Sequence, residues 1–143
     1  FAGHRDGITY IDGHGDDRYI LTNSKDQTIK LWDLRKMSSR KAEKETIKAV
    51  RNQRWDYRFQ CVPKDLTFAD PLEGDGSILT LRGHSLQHTL IRAKFSPERT
   101  GRRYVYTGSS RGNVYSKLLS TVYVSKSKSS PRLFCVTGVG TRK

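Results

Sequence analysis

Several side chains in this sequence are of the types used in catalysis and metal binding, so their spacing is the first test of what the chain could do. His84 and His88 have the HxxxH spacing of a metal-binding pair, but no glutamate or third ligand is placed to complete such a site. Cys61 has no histidine at a spacing that would indicate a nucleophile and its base. These residues predict neither a catalytic site nor a metal site.

Two other patterns resemble ligand sites only in part. Asp12, Asp16 and Asp17 do not follow the alternating ligand spacing of a calcium loop, and they belong to a predicted hairpin turn. Gly138 and Gly140 lack the strand and helix that flank a phosphate-binding loop. The sequence therefore predicts no intrinsic enzyme activity, no metal ion and no cofactor.

Recognition of a partner protein is the chemistry that the sequence favours. Trp32, Asp33 and Arg35 form a W-D-x-R box at the end of a β-rich segment. A guanidinium held in a fixed orientation can engage carboxylate or carbonyl oxygens of a partner, and Asp33 is placed to orient it. The alternative is that Asp33 only ends the strand and that the basic side chain is solvated.

A second candidate interface is the cluster of Trp55, Asp56, Tyr57 and Arg58. Aromatic and arginine side chains together have the composition of an interface hot spot. The same aromatic rings could instead anchor this segment on the rest of the fold. The sequence leaves both roles open.

Short strands joined by tight turns must position the W-D-x-R box. The segments are rich in β-branched and aromatic residues and are separated by turn-forming residues. Ile29 and Leu31 are expected on one face of the third strand. A long basic insertion delays the fourth strand. The four strands are predicted at residues 7–12, 19–22, 28–32 and 77–81.

The insertion begins with a segment that is compatible with a helix. Residues 39–54 place Ala42, Ile47 and Val50 on a thin apolar stripe among many basic residues. We predict a helix here, within an insertion that is otherwise irregular.

Charge is distributed unevenly along the chain, whose formal net charge is +13. The net charge is −1 over residues 1–35, +5 over 36–66, +3 over 67–115 and +6 over 116–143. A basic run followed by aromatic residues would suit nucleic acid, but charge runs of this kind are usually a solvated face. We favour the solvated face and do not expect nucleic acid to be the partner.

The pair Gly3-His4, followed by Ser24, Asp26 and Trp32, resembles the WD repeat, which is the four-stranded blade of a β-propeller. The resemblance implies that His4, Ser24, Asp26 and Trp32 form a buried hydrogen-bonded network. A buried carboxylate is costly unless its acceptor positions are filled. These four residues are therefore expected to be architectural.

A second Gly-His pair, Gly83-His84, opens a second repeat that lacks the other signature residues. Arg111 and Lys117 stand where the first repeat has its aspartate and its tryptophan. From residue 116 onward the chain has no acidic residue and no strand–turn rhythm, which predicts a disordered tail. The first two strands of the second repeat are predicted at residues 90–95 and 104–109.

The predicted fold class is all-β: a partial WD-repeat β-propeller of about two blades, with a helical or irregular insertion and a disordered C-terminal tail. The chain begins with Phe1 inside a repeat, so we expect it to be a fragment. Two blades cannot close a propeller ring, so we expect the isolated chain to be marginally stable or aggregation-prone. The predicted units are the first three strands of the first blade (1–35), the basic insertion with the WDYR cluster (36–76), the fourth strand with an incomplete second blade (77–115), and the tail (116–143).

Cysteine usage and hydropathy indicate the cellular setting. Cys61 and Cys135 show neither a disulfide framework nor a zinc cluster, which favours a reduced, intracellular protein of the nucleus or cytoplasm. No apolar run approaches the ~20 residues that cross a bilayer, so a membrane is not expected as a partner.

Longer runs carry a more specific resemblance. The segments GHRDGITYID, SKDQTIKLWDLRKMSS, WDYR and RGHSLQHTLIRAKFSP are together similar to the DDB-one and cullin-four associated factor eleven family, including its plant LEC-fourteen-B members. The resemblance covers residues 3 to about 115. It implies a substrate receptor of a cullin-four ubiquitin ligase, in which one propeller face docks on the propeller adaptor and another presents a substrate protein of unknown identity. The W-D-x-R box of Trp32, Asp33 and Arg35 would be the docking site. The alternative is a general WD-repeat scaffold or a basic nucleic-acid-associated protein.

Overall fold

The computed structural model describes residues 1–67, 69–119 and 133–136. Within these ranges, eight strands form two four-stranded antiparallel sheets, and strands that are consecutive in the chain are neighbours in the sheet. This architecture confirms the all-β class and the two-blade prediction. The first blade consists of β1 (Ile8–Gly13), β2 (Tyr19–Ser24), β3 (Thr28–Asp33) and β4 (Leu79–Arg82), and the second blade of β5 (Ala93–Phe95), β6 (Tyr104–Gly108), β7 (Val114–Leu118) and β8 (Phe134–Val136).

The central strand β3 is the most deeply buried element of the first blade. It pairs with β2 on one side, where Leu21 lies opposite Leu31, and with β4 on the other, where Leu31 lies opposite Leu79. All six of its residues are buried, because β3 is covered on both faces as well as on both edges. Ile29 and Leu31 share one face, as predicted, and belong to the core.

The hydrophobic core lies between the two blades. Each fully buried large side chain in such a core stabilises the fold by ~1.5–3 kcal/mol relative to leaving it exposed. The blades therefore stabilise each other by packing sheet face against sheet face. The core residues are Leu21, Ile29, Leu31, Leu79 and Leu81 from the first blade, and Ala93, Phe95, Val105, Leu119 and Leu133 from the second blade and the residues that flank its strands.

The insertion contains the predicted helix, α1 (Arg40–Asn52), and a single-turn helix, α2 (Lys64–Thr67). Ser39 caps α1, since its Oγ accepts the Ala42 N–H at 3.2 Å. Of the predicted apolar stripe only Ala42 is buried, whereas Ile47 and Val50 are exposed. The helix packs closely against the end of the insertion at Ala42. A Cβ added to Gly74 would lie 3.0 Å from the Ala42 Cβ. No helix in the described part of the chain is long and apolar enough to cross a membrane.

The second blade extends further than the sequence predicts. The incomplete blade and the tail were predicted to meet at residue 116, but β7 runs through Leu118 and β8 adds a fourth strand, with Ser116 opposite Phe134. An antiparallel ladder needs only backbone hydrogen bonds, so the missing aspartate and tryptophan do not prevent pairing. The rest of the predicted tail, residues 120–132 and 137–143, lies outside the described residues.

Candidate docking surface

A directed chain of hydrogen bonds fixes the first blade. The Trp32 Nε1–H group donates to Thr22 Oγ1 at 2.7 Å. The Thr22 hydroxyl then donates to His4 Nε2 at 2.7 Å, and His4 Nδ1–H donates to Asp26 Oδ2 at 2.9 Å. This tautomer of His4 is assigned because it gives each group in the chain a complementary partner. We call these four buried residues the His4 network.

The carboxylate of Asp26 is the acceptor at the end of the His4 network. Besides His4, it accepts the Arg5 N–H at 2.8 Å, the Thr28 N–H at 2.9 Å and the Thr28 hydroxyl at 2.6 Å. Burial raises the pKa of Asp26, but the hydrogen bond and the electrostatic interaction with His4, together with the Thr28 and Arg5 donors, outweigh burial and lower the pKa to about 2. Asp26 is therefore an ionised structural residue at physiological pH.

The hydroxyl that joins the tryptophan to the histidine belongs to Thr22, not to Ser24 as predicted. Alternation along β2 places both hydroxyls on one face. In the register of β2 and β3, Ile20 lies opposite Trp32, so Thr22 is the nearer of the two to the indole. Ser24 Oγ instead donates to Asp6 O at 3.0 Å and accepts the backbone N–H of the turn aspartate at 3.2 Å. Ser24 thus shapes the turn between β2 and β3.

The end of β3 presents Arg35 to solvent on a fixed backbone. Asp33 Oδ1 accepts the Arg35 N–H at 3.0 Å, and Leu34 N–H donates to Arg18 O at 2.8 Å. The Arg35 side chain is exposed, and within the described residues its guanidinium makes no hydrogen bond or ion pair. Its donors are therefore available to a partner's carboxylate or carbonyl groups.

Trp32 and Asp33 do not contribute accessible surface to that site. Their exposed fractions are 1% and 3%. The hydrogen bond from the Arg35 N–H has the largest effect on the pKa of Asp33 and lowers it. The Arg18 guanidinium also lowers this pKa. Arg18 Nη2 lies 3.2 Å from Asp33 Oδ2. The prediction that Asp33 faces a partner and orients the Arg35 guanidinium is therefore wrong: Asp33 fixes the backbone of Arg35 and pairs with Arg18.

The WDYR cluster divides between the two roles that the sequence left open. Trp55 Nε1–H donates to Asp6 Oδ2 at 3.0 Å, and a lysine ammonium of the β2–β3 turn lies 4.2 Å from the Tyr57 ring centroid. These half-buried rings anchor the insertion on the first blade. Arg58 is exposed and pairs with Asp56 at 2.8 Å. The cluster lies at the opposite end of the first blade from Arg35, about 20 Å away by the length of a six-residue strand.

His84 has no aspartate to bind in its own blade and bonds to the first blade instead. His84 Nε2–H donates to Asn23 Oδ1 at 2.9 Å, and Asn23 Nδ2 donates to Ile91 O at 2.7 Å. In the described part of the chain, His84 Nδ1 is buried without a hydrogen-bond partner. The histidine of the second repeat thus links the two blades by a hydrogen bond. The one signal of this role in the sequence is that Arg111 occupies the aspartate position.

We expect the pH dependence of stability to report this buried histidine. Burial lowers the pKa of His84 to about 4, against the opposing charge of Asp26. In the unfolded chain, the His84 imidazole takes up a proton near pH 6.5. In the folded chain, it does so only near pH 4. The contribution of His84 is therefore fully present above about pH 6.5 and falls by roughly 3 kcal/mol as the pH drops to about 4. Urea unfolding at several pH values across this interval measures the change.

The control for this prediction is His84→Gln, which can still donate to Asn23 but cannot take up a proton. The variant should lose less stability than the unchanged chain over the same interval. An equal loss would mean that another group controls the acid sensitivity.

A buried ion pair between Lys30 and Asp75 is not predicted from the sequence. The Lys30 ammonium contacts Asp75 Oδ2 and donates to Thr80 Oγ1 at 2.7 Å, while Asp75 Oδ1 accepts the Ser77 N–H at 2.9 Å. Burial lowers the pKa of Lys30, and the Asp75 charge opposes this effect. The pair joins the end of the insertion to β3. Its one signal in the sequence is that Lys30 shares a strand face with Trp32.

The remaining polar candidates make structural contacts. His88 Nδ1–H donates to Arg58 O at 2.6 Å, and Asp12 Oδ2 accepts the Phe95 N–H at 2.8 Å. Among the described residues, the exposed Cys61 thiol forms no disulfide, and its Sγ accepts from Gln87 Nε2 at 3.4 Å. No group of three His, Cys, Asp or Glu residues in ranges 1–67, 69–119 and 133–136 could hold a metal ion. Gly138 and Gly140 lie outside the described residues.

Comparison with known proteins agrees with this architecture. Residues 1–33 match the family model described as "WD domain, G-beta repeat". The chain is similar to the DDB1- and CUL4-associated factor 11 homolog of Caenorhabditis briggsae, at 57% identity over 124 residues, which is 85% of this chain and 22% of that protein. The homolog of Caenorhabditis elegans is 59% identical over 114 residues, covering 80% and 20%. The LEC14B protein of Lithospermum erythrorhizon is 51% identical over 117 residues, covering 79% and 23%.

These comparisons confirm the resemblance inferred from the WD-repeat and WDYR segments. The chain spans about a fifth of the length of the curated relatives it matches. The first alignment covers 85% of the chain, so it must include part of the insertion at residues 36–76. At least part of the insertion is therefore shared with that relative.

Proposed function

We propose that this chain is part of a substrate receptor of a cullin-four ubiquitin ligase, and that Arg35 is a docking contact for the adaptor of that ligase. The chain would support protein ubiquitination by binding proteins, without taking part in the transfer chemistry. The observation that carries this proposal is an exposed arginine on a fixed strand end, in a chain similar to proteins named DDB1- and CUL4-associated factors.

The rigidity of the strand end supports the proposal. The Trp32 indole is held by the His4 network, and Asp33 is buried while it accepts the Arg35 N–H. The backbone of Arg35 is therefore ordered before a partner arrives. Binding then costs the entropy of one side chain rather than that of a loop.

Two exposed apolar residues lie close to Arg35 in the sequence. Leu34 is 39% exposed and Met37 is 74% exposed. An arginine flanked by exposed apolar side chains has the composition of an interface hot spot. We call Leu34, Arg35 and Met37 the docking surface.

The opposite end of the first blade is our candidate for contact with a substrate protein. Phe59 is 79% exposed there, and the Arg58 guanidinium lies 5.5 Å from its ring centroid. This end is separated from the docking surface by the length of β3, so one partner could occupy each end. The chemistry of the surface does not identify the substrate.

Arg35→Ala should weaken the binding of the DDB1 adaptor by about tenfold, because a truncated arginine hot spot typically costs ~1–2 kcal/mol of binding free energy. Co-precipitation and titration of the adaptor with the intact chain and the variant measure this effect.

Lys36→Ala is the matched control for this experiment. Lys36 is the next residue, is exposed and carries the same charge. This variant should bind almost as well as the unchanged chain. Equal recovery of the adaptor with all three proteins, at equal far-UV circular dichroism, would contradict docking through Arg35.

A further inference from the structure

A groove of about 410 Å³ lies between the blades, beside the β1–β2 turn and the loop that joins β5 to β6. Its floor consists of Leu31, Phe95 and Leu119 from the core, together with Tyr19. The three core residues keep only small exposed fractions, between 4% and 7%. The volume falls within the ~300–1,000 Å³ of ordinary ligand sites, so the groove can take a large apolar side chain with its neighbouring backbone.

The wall of the groove is held rigid by aromatic packing. The His14 ring stands edge to face against Phe95, with centroids 5.0 Å apart, and against Tyr19 at 6.1 Å. His14 Nδ1 lies 3.1 Å from Asp16 Oδ2, but it has no aligned hydrogen-bond partner in the described part of the chain and is buried.

The rim of the groove has an excess of positive charge. Arg102 Nη1 donates to Gly13 O at 3.4 Å, and the Arg103 side chain forms no ion pair with any described residue. The single carboxylate at the rim, that of Asp16, already accepts two backbone N–H groups at 3.0 Å through Oδ1. Both arginines line the groove, and the one carboxylate that lines it with them is already engaged by backbone donors.

The approach of Arg102 depends on a glycine. A Cβ on Gly15 would lie 3.2 Å from the Arg102 guanidinium carbon, and Gly15 has a φ of +87°. The turn therefore leaves space for the guanidinium against its backbone. This contact fixes one basic group of the rim relative to the apolar floor.

We propose that this groove binds a peptide segment of a partner protein in which a large apolar side chain stands next to a carboxylate. The apolar side chain covers the exposed edges of the floor, and the carboxylate pairs with Arg102 and Arg103. Charge complementarity selects an acidic rather than a basic segment. This proposal does not depend on the ligase role proposed above, although the groove opens at the same end of the first blade as Arg35.

Fluorescein-labelled peptides test the proposal by fluorescence anisotropy with the whole chain. One probe carries an internal Glu-Phe pair and an amidated end, and a second ends in Phe with a free carboxylate. Each is compared with a form in which Phe is replaced by Ala and a form in which the carboxylate is neutral. We expect dissociation constants of about 10⁻⁵ to 10⁻³ M for the acidic aromatic probes and at least fivefold weaker binding of the altered forms.

Variants of the rim provide an independent readout. Arg103→Ala and Arg102→Ala should each weaken probe binding about fivefold. Arg99→Ala is the matched control, because Arg99 is an exposed arginine of the same loop that does not line the groove. Its binding should equal that of the unchanged chain.

Binding of the internal probe alone would identify a segment within a partner chain, and binding of the free-end probe alone would identify a chain terminus; either supports the proposal. Absence of binding by both probes at 1 mM would overturn it. So would equal affinity for the neutral or alanine peptides, or equal weakening by Arg99→Ala. The peptide comparisons decide the matter even if a rim variant were to fold poorly.

Discussion

Asp26→Ala is expected to lower the free energy of unfolding by about 3–5 kcal/mol, because several donors lose one charged acceptor together and each buried unsatisfied polar group costs ~1–3 kcal/mol. The substitution leaves the His4 ring, the Arg5 N–H and both donors of Thr28 without their acceptor. These groups are buried or partly buried, so water does not readily replace the carboxylate. A domain of this size has ~5–15 kcal/mol of stability in total, so the loss is a large part of it. Urea unfolding followed by circular dichroism measures the difference.

Asp26→Asn separates the loss of hydrogen bonds from the loss of charge. The asparagine oxygen can still accept from Thr28, but its amide group faces the donors of His4 and Arg5. We expect a smaller loss than for Asp26→Ala. Asp65→Ala, at an exposed aspartate of α2, should leave the free energy of unfolding nearly unchanged. A loss below ~1 kcal/mol for Asp26→Ala would contradict a structural role for the carboxylate.

The Asp26 carboxylate should also contribute to the acid unfolding of the unchanged chain, at a lower pH than His84 does. The folded-state pKa of Asp26 is lowered to about 2, below the unfolded value of about 3.8. Its stabilising contribution is therefore fully present above about pH 4 and is lost as the pH falls through about 2. His84 acts between about pH 6.5 and 4, so the two windows adjoin without overlapping.

The first blade was predictable because its information is local. The alternation of Ile29 and Leu31 and the turn containing Asp26 act over a few residues, and the structure places strands β1 to β3 close to the predicted bounds. The second blade was harder to predict. Strand β8 pairs with β7, although residues 120–132 separate the two in the sequence. The pairing uses backbone hydrogen bonds, so it leaves no signature in the sequence of either strand.

Side-chain partners were less predictable than strands. Thr22 and Ser24 lie on the same strand face, so periodicity could not decide which of them meets Trp32; the register of β2 and β3 decided it. Asp33 was expected to face a partner, because sequence position could not reveal that Arg18 reaches it from the β1–β2 turn. The role of Lys30 has no local sequence signal, because its partner lies 45 residues away in an irregular segment.

Lys30→Met is expected to lower the free energy of unfolding by about 3 kcal/mol or more, because it leaves the Asp75 carboxylate buried without its counter-charge. The side chains of Lys30 and Asp75 are 3% and 8% exposed. Asp75→Asn should cost a similar amount for the reciprocal reason, since the ammonium then keeps only the hydroxyl groups of Thr80 and Ser77. Urea unfolding of both variants measures these losses.

The double variant Lys30→Met/Asp75→Asn shows whether the cost comes from the unpaired charge. A neutral pair removes both desolvation penalties, and the asparagine oxygen can still accept the Ser77 N–H, so the double variant should be more stable than either single variant. The control is the pair of Lys41 and Glu73 in the same insertion, whose side chains are both 69% exposed. Lys41→Met should change stability little, because solvent screens that pair. If the coupling energy between Lys30 and Asp75 were no larger than that between Lys41 and Glu73, burial of the pair would not explain how the insertion is held to β3.

If the coupling energy between Lys30 and Asp75 is the larger one, limited proteolysis should cut residues 36–76 faster in the single variants than in the double variant.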